Sequence, residues 1–198
     1  MRSEPLLNAV LRADFPMQPS LNDPEALRRF GRWLAHWLNP DASPKNFQPT
    51  CNSHMALPLY AHVTGNPELA AAALAFIESK FVRDGALIQP ASRRNMMPYA
   101  PAWIVMGAAL GGNPPLKTVL ERYLSRFQDP RGGGFFGSES ARDAGTGEID
   151  FDSTTLACAA LCSAGNAEAA EKCGRFLARL IESQAVPDRQ FFFMWDPG

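Results

Sequence analysis

Several polar side chains in this chain stand just before apolar helical stretches, and they are the ones that could do chemistry. His54 follows Asn52-Ser53. Its imidazole titrates near neutrality, which makes it the natural candidate acid/base. Asp150 and Asp152 flank Phe151 and precede Ser153-Thr154-Thr155. With Glu148 nearby, like charge could raise one carboxyl pKa, as a proton-donating acid requires. The competing reading makes Asp152 a helix N-cap, accepting from a backbone N–H near Thr155. Arg93 and Arg94 precede the next such stretch. A guanidinium there could grip a carboxylate or phosphate with two parallel hydrogen bonds, or simply be solvated. Tyr99, Trp103, Phe135 and Trp195 could line a substrate site, by cation–π attraction or by stacking, or could fill the core.

Other chemistries find less to work with. Gly132-Gly133-Gly134 lacks the Gly-Lys-Ser/Thr ending of a phosphate loop and reads as a tight turn. Cys158 and Cys162 stand four apart and read as small core residues on one helix face. A zinc site would have to bring Cys51 and His54 to them. No metal-ligand set and no cofactor motif stands out.

The elements that must position these residues repeat. Leu57–Val63, Ala102–Leu110 and Thr154–Ser163 each run into a turn ending in Gly-Asn. Pro67–Phe81, Pro114–Phe127 and Ala167–Ile181 run out of it. The turn residues Asn66, Asn113 and Asn166 are 47 and 53 apart, the period of a helical-repeat array. Each Asn should cap the outgoing helix, after a Gly that ends the incoming one. Pro58 either starts or kinks the first incoming helix. Short extended segments follow the outgoing helices at 84–88, 132–136 and 190–195. A further helix begins at Asp23-Pro24-Glu25 and carries Phe30, Trp33 and Trp37 at helical spacing. Residues 1–22, with Pro5, Pro16 and Pro19, read as a loosely docked arm.

The expected fold is therefore all-α, with seven main helices in antiparallel succession and little strand. Residues 23–198 form the helical-repeat domain. If the curvature closes, it is an α/α toroid with incoming helices inside. Three pairs are too few for six, and the chain ends at Asp196-Pro197-Gly198 in mid-motif. An incomplete ring, truncated at its C-terminus, is expected.

Composition narrows the partners. The 198 residues carry a net charge of −1, with no global basic field to attract nucleic acid. No apolar run reaches the ~20 residues that span a bilayer, and the N-terminus lacks a signal-peptide pattern. A disulfide framework is not expected of the four cysteines in a chain with this much core, so the compartment reads as cytoplasmic. A small-molecule substrate comes only with the toroid reading, and a homo-oligomer stays open.

Two stretches resemble the repeats of the terpenoid cyclase and protein prenyltransferase superfamily. Gln128-Asp129-Pro130-Arg131-Gly132-Gly133-Gly134-Phe135 is similar to its Gln-rich, glycine-aromatic motif. Asp152-Ser153-Thr154-Thr155 with the apolar run to Gly165 is similar to the inner helix that follows it. The resemblance implies an α/α toroid with chemistry in the concave mouth, where inner helices start. It implies an isomerase-like or cyclase-like reaction on a largely apolar substrate. Asp152 would then be the middle acid of an Asp-x-Asp-Asp motif, with Ser153 in place of the last acid. The same segments are also similar to sugar-processing toroids such as the N-acylglucosamine 2-epimerase family. That likeness implies epimerase or hydrolase chemistry using His54, Arg93 or Arg94 and a carboxylate. A third reading is a non-enzymatic helical-repeat binding module.

Overall fold

A computed structural model describes residues 24–91, 94–144 and 149–182. The arm at 1–22, Arg93, Glu148 and Trp195 lie outside the described residues. The chain divides into two compact units, with the boundary after Leu38. In the first, helix α1 (Pro24–Trp37) starts at the expected proline. Glu25 in its first turn accepts hydrogen bonds from Arg28 (3.1 Å) and Arg32 (3.2 Å), one and two turns along the same face.

The second unit is mostly helical. Its first incoming stretch is broken rather than continuous. Helix α2 (Cys51–His54) is closed at its start by a reciprocal capping box between Thr50 and Ser53. Helix α3 (Leu57–Val63) then restarts with Pro58 in its first turn, where a missing N–H costs nothing. There follow α4 (Pro67–Phe81), α5 (Tyr99–Leu110), α6 (Pro114–Ser125), a short α7 (Glu139–Ala144), α8 (Phe151–Ala164) and α9 (Ala167–Glu182). Helix α7 has no counterpart in the sequence reading. Ser138 starts it by accepting from the Ala141 N–H (3.1 Å).

The three turns are alike in detail. Gly65, Gly112 and Gly165 all have positive φ, at +68°, +75° and +78°. The following Asn N–H groups reach back to Ala61, Ala108 and Leu161, the long bond of a left-handed helix cap. Each Asn side chain then accepts from the N–H three residues on. Asn66 takes Leu69 (3.0 Å), Asn113 takes Leu116 (3.1 Å) and Asn166 takes Ala169 (3.2 Å).

Packing follows the pairing. Helix α3 packs on α4, α5 on α6, and α8 on α9, while α3, α5 and α8 touch in series. Helix α5 is the middle of this row and is apolar on almost every side, as a surrounded helix must be. Ala100, Ala102, Ile104 and Val105 are wholly buried. A β carbon on Gly107 would come within 2.7 Å of Pro58 Cβ, so its absence lets α3 and α5 approach closely.

After α4 the chain makes a small antiparallel sheet of β1 (Val82–Arg83), β2 (Ala86–Gln89) and β3 (Arg94–Asn95). Arg83 pairs with Ala86 across a two-residue turn, and Ile88 pairs with Asn95. Asp84 and Gly85, both at positive φ, give that turn the twist a tight hairpin needs. The segment at 132–136 makes only isolated bridges, Gln128 with Phe135 and Phe136 with Ile149.

Candidate functional site

The approaches to α5 and α8 lie at one end of the row of α3, α5 and α8. Tyr99, the first residue of α5, donates its hydroxyl to Asn52 Oδ1 of α2 (3.2 Å). Met97, just before α5, lies beside Gly137, and the adjoining Phe136 pairs with Ile149, just before α8. These contacts link the starts of α2, α5 and α8. The candidate side chains do not all join them.

His54 does not face an opening. Its ring is fully buried, stacked on Phe76 at 4.8 Å and flanked by Phe81 at 5.8 Å. Nδ1 lies 2.8 Å from the Ser53 hydroxyl and Nε2 lies 3.2 Å from the Ala42 carbonyl. Nδ1 also lies 3.1 Å from the Thr50 carbonyl, so the neutral ring donates to Thr50 in one tautomer and to Ala42 in the other. Burial lowers its pKa from the ordinary value, against the opposing pull of the Thr50 and Ala42 carbonyls. The structure thus places His54 in the core, where the two α4 phenylalanines close over it.

Phe135 is likewise a core residue, wholly buried. Its N–H donates to Thr154 Oγ1 (2.9 Å), and the same hydroxyl donates to the Asp150 carbonyl (2.7 Å). The surrounding Gln-Gly-aromatic segment is a clasp. Gln128 Nε2 donates to the carbonyls of Gly133 (3.2 Å) and Ala169 (3.3 Å). Asp129 accepts from the N–H groups of Arg131 and Gly132. Arg179 of α9 donates to the Gly132 carbonyl (3.0 Å). At Gly133 a β carbon would sit 2.5 Å from the Lys172 carbonyl, so α9 runs directly over the loop.

The expected cap at Asp152 is corrected. Helix α8 begins at Phe151, so Asp150 and not Asp152 holds the N-cap position. The Asp150 carboxylate accepts from the Ser153 hydroxyl, and its N–H donates to the Phe135 carbonyl (2.8 Å). Asp152, in the first helical turn, is half-buried. Its pKa is raised, first by loss of solvent and then by the charge of Asp150.

Around α5 burial is incomplete at Tyr99, Trp103, Ala109 and Leu110, while Met106 is buried. Tyr99, Trp103, Met106 and Leu110 fall at i, i+4, i+7 and i+11 and share a face. Tyr99 and Trp103 are half-buried and Leu110 is exposed. Neighbouring α8 exposes Thr155, Ala159 and Cys162 beyond Asp152, so Cys162 is no core residue. Cys158 is half-buried, while Cys51 and Cys173 are buried. Burial pushes the Cys51 thiol up to about 12. Among the described residues no group of three His, Cys, Asp or Glu side chains is placed to hold a metal.

Arg94 is exposed on β3, opposite Gln89. It stands near a cleft of about 570 Å³ that the sequence reading did not single out, walled by Lys80, Arg83, Asn95 and Arg126. A smaller cleft of about 300 Å³ shares Asn95 and extends to Met96, Phe127 and Glu139. Neither is lined by His54, Tyr99, Trp103, Phe135, Asp150 or Asp152. The signal for the larger cleft was a cation near the end of each outgoing helix, Lys80 and Arg126. Such cations also suit the helix dipole, which hides any other purpose. No family model, no curated protein and no solved structure matches this chain. Among the described residues no helix is long and apolar enough to cross a membrane.

Proposed function

We propose that the helix pairs form an arc of an α/α toroid, and that its inner row takes a largely apolar organic substrate. The carrying observation is the partly exposed face of Tyr99, Trp103 and Leu110 on the central inner helix, interrupted by buried Met106, with Asp152 in the first turn of the next. An aromatic and aliphatic strip matches an isoprenoid-like chain by area and by cation–π shielding of developing positive charge. Asp152 is the group to deliver a proton there. Its raised pKa keeps more of it protonated than an exposed carboxylate. Burial is the main cause of that shift, and the charge of Asp150, held by Ser153, adds to it. The sugar-processing alternative loses support, because buried His54 leaves it without its acid/base.

Farnesol, a C15 isoprenoid alcohol, is a suitable probe. Its titration should quench tryptophan fluorescence in the intact chain and not in Trp103→Phe. A panel of isoprenoid olefins, analysed for cyclised or hydrated products, should show turnover that Asp152→Asn abolishes while farnesol binding survives. Binding without turnover in either protein would favour the binding module. Farnesol binding indifferent to Trp103 would reject this face.

A further inference from the structure

We propose that the cleft between the β1–β2 hairpin and the end of α6 binds a small phosphorylated organic anion. The site is separate from the partly exposed α5 face and does not rest on the toroid reading. Three cations wall it: Lys80 from the last turn of α4, Arg83 from β1 and Arg126 just beyond α6. The one carboxylate among the lining residues is Asp84, so the walls carry an excess of positive charge in a chain whose net charge is −1. Such an excess at one concave place raises the local concentration of anions.

Both guanidinium groups are already held. Arg83 Nη1 donates to the carbonyls of Ser79 (3.0 Å) and Val82 (2.7 Å), which end α4. Arg126 lies over the Tyr123 ring, 5.6 Å from its centre. Its Nη2 comes within 4.0 Å of where a β carbon on Gly85 would stand, so the fork spans the gap to the hairpin turn. Glu139 forms an ion pair with Arg126 Nη1 at 3.7 Å, which offsets part of its charge, while Nη2 on the hairpin side faces the gap. Two forks fixed before binding lose little entropy on meeting a tetrahedral dianion, and the flexible Lys80 adds a point charge. A carboxylate, with one charge and two oxygens, would use fewer of these donors.

The cleft is also larger than an inorganic ion requires. Its volume of about 570 Å³ lies in the range of small-molecule sites, and Ala86, Ile88 and Pro90 contribute apolar surface. The organic part of the ligand rests there, and the Asn95 amide can meet a hydroxyl or carbonyl on it.

Phenyl phosphate is the probe, titrated calorimetrically into the intact chain, with inorganic phosphate and phenol as partial ligands. Phenyl phosphate should bind more tightly than either, and its affinity should fall as salt rises. Lys80→Gln, a change at an exposed position, should weaken it about tenfold or more. Lys172→Gln, on a cation remote in sequence from the cleft, should leave it unchanged. Ile88→Asp should weaken phenyl phosphate more than inorganic phosphate. No binding to the intact protein, binding indifferent to Lys80→Gln, or an equal loss in Lys172→Gln would each overturn the proposal.

Discussion

Gly112 and Gly133 both have positive φ, +75° and +90°, yet the structure predicts very different costs for replacing them by alanine. At Gly112 a β carbon would meet nothing within 4 Å. The cost there is conformational only, about 1–2 kcal/mol for a left-handed L-residue, less a few tenths for the stiffer unfolded chain. At Gly133 the same strain applies, and the β carbon would also sit 2.5 Å from the Lys172 carbonyl and 2.8 Å from its carbon. Those are backbone atoms of α9, so relief requires moving the helix or unlatching the loop. Overpacking of this kind adds about 1–3 kcal/mol. The expected losses are therefore about 1 kcal/mol for Gly112→Ala and about 2–5 kcal/mol for Gly133→Ala. Urea unfolding followed by far-ultraviolet circular dichroism measures both, with the m-value checking that one transition is being compared. Equal losses would refute the reasoning, because they would mean that α9 does not lie on the Gly132–Gly134 loop.

The other expectations are narrower. Asn113→Ala should cost about 0.5–2 kcal/mol by removing the acceptor of the Leu116 N–H, and the same loss is expected at Asn66; no change in urea midpoint would refute the shared cap. Thr154→Val should cost about 1–3 kcal/mol, because the buried Phe135 N–H loses its partner while volume is kept; a neutral thermal midpoint would show that bond to be dispensable. Gly107→Ala should destabilise despite alanine's better helix propensity, since Pro58 occupies the space, and a rise in the thermal midpoint would contradict the close crossing of α3 and α5. For His54 the sign follows from burial. Its folded-state pKa lies below the ordinary 6.5, so the unfolded chain takes up the proton first as pH falls. Its contribution is complete above about pH 6.5 and is lost as pH drops toward the folded value, with a slope of at most about 1.4 kcal/mol per pH unit. Stability measured from pH 8 to 5 should lose that slope in His54→Gln; an unchanged slope would assign it to other groups.

Local features were legible in the amino-acid sequence because the groups that make them are neighbours along the chain. Asn66, Asn113 and Asn166 bond to N–H groups three residues away, and the preceding glycines need only their own φ. The Pro58 break and the apolar character of α5 could be read for the same reason. The candidate site was less legible, because its geometry depends on residues brought together from afar. His54 is a core residue because Phe76, Phe81 and the Ala42 carbonyl converge on it, none of them adjacent in sequence. Phe135 is withdrawn from any surface by Thr154, and the glycine run is required by the backbone of α9. Asp152 is not the cap because α8 already starts at Phe151, with Asp150 before it bonded through its N–H to the distant Phe135 carbonyl. Lys80, Arg83 and Arg126 make a cleft only because the hairpin turns its face to the end of α6. Spacing along one helix or turn sets which side chains share a face. Whether that face meets solvent, a ligand or another helix depends on contacts between distant segments, which only tertiary packing decides.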